Sequence, residues 1–112
     1  MVAEGKNSGA IYNYKMAIKI KSDYDDAHYN LGNALSTEGK NEEAISHYKM
    51  AIKIKPNFAD AYNNLGSALF HAEMTEEAID YFKEAIRIRP GFAAAQENLE
   101  TVLRSMEIQD LF

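Results

Sequence analysis

At 112 residues, with 46% hydrophobic and 26% charged side chains, the chain is ordinary globular material for one modest core or one array, and its composition excludes disorder. Its 17 acidic against 12 basic residues give a net charge of −5, which excludes an affinity built on neutralising phosphates, so no nucleic-acid partner is expected. The lack of cysteine excludes disulfides and thiolate chemistry, and no apolar run is long enough to span a bilayer; with "MVAEGKNSGA" unlike a secretion signal, no membrane partner and a cytoplasmic location are expected.

The first predicted element is a helix over residues 8–21, in which Ile11, Tyr14, Ala17 and Ile18 make an apolar face. Its stretch "EGKNSGAIYNYKMAIKIK" from Glu4 returns almost letter for letter as "EGKNEEAISHYKMAIKIK" from Glu38, one period of 34 residues later. The second helix follows "SDYDDAH", whose carboxylates Asp23, Asp25 and Asp26 suit a helix start; a calcium loop would need a glycine and a closing glutamate that are missing. Along it His28, Leu31 and Leu35 fall at i, i+3 and i+7. We call a helix of this kind A.

A helix of a second kind, B, comes next with the broader stripe Ala44, Ile45, Tyr48, Ala51 and Ile52. Asn41 is its expected N-cap, Glu42 and Glu43 suit its positive end, Lys53 and Lys55 its negative end, and Pro56 stops it. The following pair repeats the plan: Tyr62, Leu65 and Leu69 in helix A, then Thr75 as expected N-cap and Ala78, Ile79, Phe82, Ala85 and Ile86 in helix B, with Arg87, Arg89 and Pro90 at its end. Residues 25–58 and 59–92 align without a gap and agree at 17 of 34 positions. "FAAAQENLETVL" from Phe92 then matches "FADAYNNLGSAL" from Phe58, predicting a last helix A over 93–106 with Leu99 and Leu103 on its apolar side.

The predicted organisation is therefore a single array over 1–112. Residues 4–24 are the second half of a repeat, 25–58 and 59–92 are full repeats, and 93–112 are the first half of a repeat or a C-terminal capping helix. Gly32 and Gly66 cost helix propensity in mid-helix, which predicts that a neighbouring helix approaches where a Cβ would clash.

The period, with aromatic-x2-Leu-Gly-x2-Leu, then Ala-x3-aromatic, Ala and Pro, resembles the tetratricopeptide repeat over nearly the whole chain. Departures are Ser22 where Pro56 and Pro90 stand, Glu100 where the glycines stand, and Ala72-Glu73 where Glu38-Gly39 make a turn. The resemblance implies an all-α fold, an α-α solenoid of antiparallel helix-turn-helix repeats stacked in a right-handed superhelix. It also implies a scaffold whose A helices line a concave groove that receives an extended peptide or partner segment. The sequence has no Gly-rich phosphate loop and no nucleophile elbow, so no enzyme activity and no cofactor are expected.

Asn30, Asn64 and Asn98 recur at the repeat period, each beside a core leucine. Asp26, Asn30, Asn33 and Thr37 are spaced to form one polar stripe along helix A, repeated as Asp60, Asn64, Ser67 and His71 and again as Ala94, Asn98, Thr101 and Ser105. Tyr29, Ser36, Asn63, Phe70, Glu97 and Arg104 run alongside. By resemblance this stripe faces the groove, and in arrays of the O-linked GlcNAc transferase type a similar asparagine ladder binds peptide backbone. A side-chain amide offers donor and acceptor together, which suits that task; the plainer reading is that each asparagine braces neighbouring helices.

Groove lysines and arginines, the mark of repeats that hold a C-terminal carboxylate, are reduced here to Arg104 against Asp26, Asp60 and Glu97, so a partner segment with basic residues is expected, anchored by Tyr29 and Phe70. His28, His47 and His71 make no i, i+4 pair, so packing or surface roles are expected and no metal site. Lys15, Lys19, Lys49 and Lys53 read as a solvated face of helix B. The alternative function is self-assembly as a homodimer through the incomplete ends, Ile11, Tyr14 and Ile18 at one and Leu99, Leu103, Ile108, Leu111 and Phe112 at the other.

Overall fold

The computed structural model describes residues 2–21 and 24–110. They form six α-helices, α1 (Val2–Ile20), α2 (Asp25–Thr37), α3 (Asn41–Ile54), α4 (Ala59–His71), α5 (Thr75–Ile88) and α6 (Ala93–Asp110), with no strand among the described residues. The fold is an all-α helical repeat of helix-turn-helix pairs. By contact it divides into two compact units, residues 1–56 with α1 to α3 and residues 57–112 with α4 to α6.

In the first unit the helix A leucines and the small residues of helix B meet. Leu31, Leu35, Ala44, Tyr48 and Ala51 are buried, and a short turn over residues 38–40 folds α3 back along α2. A Cβ at Gly32 would lie 2.6 Å from Tyr48 Cε1, so the glycine is what admits the ring. α1 starts well before residue 8, and its Asn7 Nδ2 donates to the Ala34 carbonyl at 3.0 Å. Packing on α2 leaves Ile11, Tyr14, Ala17 and Ile18 half-buried. Tyr12 and Ile20 on α1 are instead exposed, at 64% and 84%.

The second unit repeats the hairpin. Leu65, Leu69, Ala78, Phe82 and Ala85 are buried, a Cβ at Gly66 would lie 2.7 Å from Phe82 Cε1, and α6 adds the buried Ala95 and Val102. α6 continues past residue 106 through Ile108 to Asp110. Where the glycines stand in the two earlier A helices it carries the exposed Glu100, with no helix B following among the described residues.

The A-to-B turns share one hydrogen-bond pattern. Lys40 N donates to Leu35 O at 2.9 Å and Gly39 N to Ser36 O at 3.0 Å; Met74 N donates to Leu69 O at 2.8 Å and Glu73 N to Phe70 O at 3.0 Å. Both are Schellman closures, which need a left-handed residue just past the helix. Gly39 supplies it at φ 78°, whereas Glu73 takes φ 64° with a Cβ that crowds its own backbone. Glu73→Gly is therefore expected to stabilise the second unit by about 1 kcal/mol, read as a raised melting temperature.

The expected caps are displaced by one residue. Asn41 and Thr75 are the first helical residues of α3 and α5, the cap positions are Lys40 and Met74, and neither makes a side-chain cap bond. The Schellman closure sets this register, since it places Lys40 and Met74 between the two helices, and their carbonyls already accept from Ala44 N and Ala78 N. Ser22 and Asp23 lie outside the described residues.

Candidate functional site

The first unit holds four of the stripe residues. On α2, Asp26 is exposed, while Tyr29, Asn30 and Asn33 are half-buried. Asn33 Oδ1 accepts the Tyr48 hydroxyl at 2.5 Å, and the Tyr29 ring lies 6.1 Å from that of Tyr48. Asn33 thus satisfies the polar end of a buried core ring, a bracing role within the hairpin. Thr37 turns back on its own helix, its hydroxyl donating to the Asn33 carbonyl.

In the second unit the stripe spans two helices in contact, α4 and α6. Asn63 is buried, and its Oδ1 accepts from Asn98 Nδ2 at 3.0 Å. The bond fixes the Asn98 amide, whose Oδ1 and second hydrogen are further hydrogen-bonding groups of that side chain. Asn64, Ser67 and Phe70 are half-buried along α4. His71 is exposed and its Nδ1 donates to the Ser67 carbonyl at 2.7 Å, since a carbonyl can only accept. On α6, Glu97 is exposed and Thr101 donates to its carbonyl.

The cations near the stripe already have anions. Arg104 pairs with Glu100 at 2.6 Å and Arg89 forks onto both carboxylate oxygens of Asp60 at 3.1 and 3.3 Å. Both pairs are exposed, so each adds little to stability. On α5, a hydrogen bond from Arg87 holds the Glu84 carboxyl below its usual range.

One constellation escaped the sequence reading. His28, buried on α2, and His47, half-buried on α3, meet with their Nδ1 atoms 3.1 Å apart, ring centroids 5.4 Å apart and planes 28° from parallel. The centroid separation exceeds the nitrogen separation by about twice the radius of an imidazole ring, so the two nitrogens point at one another along a line. Lone pairs so directed share a proton; they do not converge on one cation. Among the described residues no three histidine, aspartate or glutamate side chains cluster to hold a metal. Burial, then the neighbouring His28 and Lys15, lower the His47 pKa, with Glu43 opposing. One period on, Tyr62 and Tyr81 stand at the matching positions with ring centroids 6.0 Å apart.

Of the residues named for self-association, Ile11, Tyr14, Ile18 and Leu99 are half-buried, Leu103 and Ile108 are exposed at 44% and 53%, and Leu111 and Phe112 lie outside the described residues. Lys15, Lys19, Lys49 and Lys53 are exposed. No helix among the described residues is long and apolar enough to cross a membrane.

Comparison with protein-family models matches residues 1–38 and 37–72 to the TPR repeat and residues 59–92 to the tetratricopeptide repeat. Comparison with curated proteins gives no sequence match. Among solved structures, the TPR domain of Sgt2 from Aspergillus fumigatus is 25% identical with a TM-score of 0.90, covering 99% of this chain and 75% of that one. MamA is 30% identical with a TM-score of 0.88, over 96% of this chain and 63% of its own. The second TPR domain of human RPAP3, in complex with the HSP70 peptide SGPTIEEVD, is 25% identical with a TM-score of 0.84, over 90% and 84%.

Proposed function

Since the chain belongs to the tetratricopeptide repeat family, we propose that it is a protein-interaction module whose A helices take an extended peptide or partner segment. The observation that carries this reading is the Asn63–Asn98 bond, which holds an amide in a fixed pose between α4 and α6 with Asn64 on the same stretch of α4. Fixed amides lose little freedom on pairing with a peptide backbone and do not read its side chains. This is the asparagine mode of the O-linked GlcNAc transferase-type arrays that the sequence resembles. Asp26, Tyr29 and Asn30 offer a set of similar chemistry on α2.

A human RPAP3 domain of this fold is bound to a peptide ending in EEVD. Here Arg104 is paired with Glu100 and Asp60 with Arg89, while Asp26 on α2 and Glu97 on α6 add negative charge, so the preferred segment is one with lysine or arginine. Peptides selected from a display library are expected to be basic, and SGPTIEEVD is expected not to bind. Asn64→Ala should weaken the selected peptide by about 1–3 kcal/mol, the cost of a lost or unpaired hydrogen bond, and change the melting temperature less. Equal calorimetric affinities for the two proteins would reject the asparagine reading.

Homotypic pairing is the second reading, favoured by the exposure of Leu103 and Ile108. End-to-end joining of α6 to the α1 of another copy is opposed by Glu100, which stands where Gly32 and Gly66 admit Tyr48 and Phe82 and leaves Tyr14 no matching seat. A mass that stays monomeric across a sedimentation-equilibrium series rejects self-association.

A further inference from the structure

We propose that the facing pair His28 and His47 is an acid-sensitive latch between α2 and α3, so that mild acidification loosens the first unit and leaves the second intact. The line between the two Nδ1 atoms, 3.1 Å long, has room for one hydrogen. With one ring donating and the other accepting, the pair holds α2 to α3 through partly buried atoms. With both rings protonated, two N–H groups and two positive charges face each other across that distance, the bond is lost and repulsion replaces it.

Around His47 the neighbouring charges act in both directions. From α1 the Lys15 ammonium adds to the repulsion, from α2 comes His28, and on α3 itself the Glu43 carboxylate is the group that opposes them. His47 is harder to protonate in the folded chain than in the unfolded one, chiefly because it is buried. The unfolded state therefore binds more protons on the acid side. The latch contributes fully above the ordinary histidine value near 6.5, and its contribution drains away as the pH falls below it.

The second unit has a ring contact of two phenols where the first has two imidazoles. Tyr62 and Tyr81 occupy the positions one period after His28 and His47, with ring centroids 6.0 Å apart. Phenols lose their protons only near pH 10, and burial raises Tyr62 further, so nothing in that pair changes charge between pH 5 and 7.5. The two units thus fill the same helix positions with side chains of which only the imidazoles respond to acid. α2 also bears Tyr29, Asn30 and Asn33, so a loosened hairpin would weaken peptide binding there; that consequence rests on the function proposed above, whereas the loosening does not.

The test uses the full chain and no ligand. Amide-exchange protection is measured residue by residue at pH 7.5 and 5.5, corrected for intrinsic rates, in the unaltered protein and in His28→Tyr/His47→Tyr, which writes the second unit's pair into the first. The expected result is a several-fold loss of protection in α2 and α3 at pH 5.5, little change in α4 and α5, and a flat response in the double variant. Equal losses in both units, or the same acid loss in the double variant, would overturn the proposal. If the double variant does not fold, the ring resonances of the unaltered chain decide: those of His28 and His47 must change together as the pH falls, and independent changes reject the latch.

Discussion

Phe82→Ala is expected to destabilise the second unit by about 3–5 kcal/mol, the range for removing a buried aromatic ring and leaving its space unfilled. The ring is almost wholly buried, and it fills the space that Gly66 leaves open on α4. Gly66 opposite the ring has no side chain, and Ala78 and Ala85, a turn away on the same helix, have only methyl groups, so none of the three can swing inward to fill the gap. A loss of this size is a large fraction of the stability of a small domain, typically about 5–15 kcal/mol in all. Thermal unfolding followed by circular dichroism should show the midpoint lowered by roughly 10–20 °C. Lys49→Ala, on an exposed site, should leave it within a degree or two. A Phe82→Ala midpoint no lower than that of Lys49→Ala would contradict the packing of Phe82 against Gly66.

Gly66→Leu is expected to be the second most damaging change, and the sign is set by two opposing effects. Leucine favours helix over glycine by somewhat less than 1 kcal/mol. Against this, the new Cβ would lie 2.7 Å from Phe82 Cε1 and 2.8 Å from Cδ1, closer than real Cβ atoms come, and the rest of the side chain would follow it into the same ring. Overpacking of this kind costs about 1–3 kcal/mol or more, so it wins. The two substitutions must also couple. In a Phe82→Ala background the ring is gone, so Gly66→Leu should cost far less than it does alone, or restore stability by filling the vacated space. Chemical denaturation of the four proteins of this cycle measures the coupling directly. Additive losses would mean that Gly66 and Phe82 do not occupy each other's space.

The asparagine stripe shows how one sequence pattern can split into different roles. Asn33 and Asn98 lie at stripe positions, yet Asn33 accepts the Tyr48 hydroxyl and Asn98 donates to the buried Asn63. Bracing is therefore part of what these amides do, and peptide contact is the part that the Asn64→Ala titration tests.

The order, type and approximate length of the helices could be read along the chain, because each helix announces itself locally: an apolar residue every three or four positions, a proline after Ile54 and Ile88, a glycine at residue 39. The repeat period added the one long-range inference the sequence supports, that Gly32 and Gly66 make way for a neighbour, because a costly residue kept at the same place in two copies demands a spatial reason. Which side chain meets which was not legible. His28 and His47 are 19 residues apart, Asn33 and Tyr48 are 15, and Asn63 and Asn98 are 35, and such pairs are made by the angle and register at which helices pack. A helical wheel gives the face a residue lies on, but a hydrogen bond needs its partner within about 3 Å, and that precision exists only once the cores around Leu31 and Leu65 have closed.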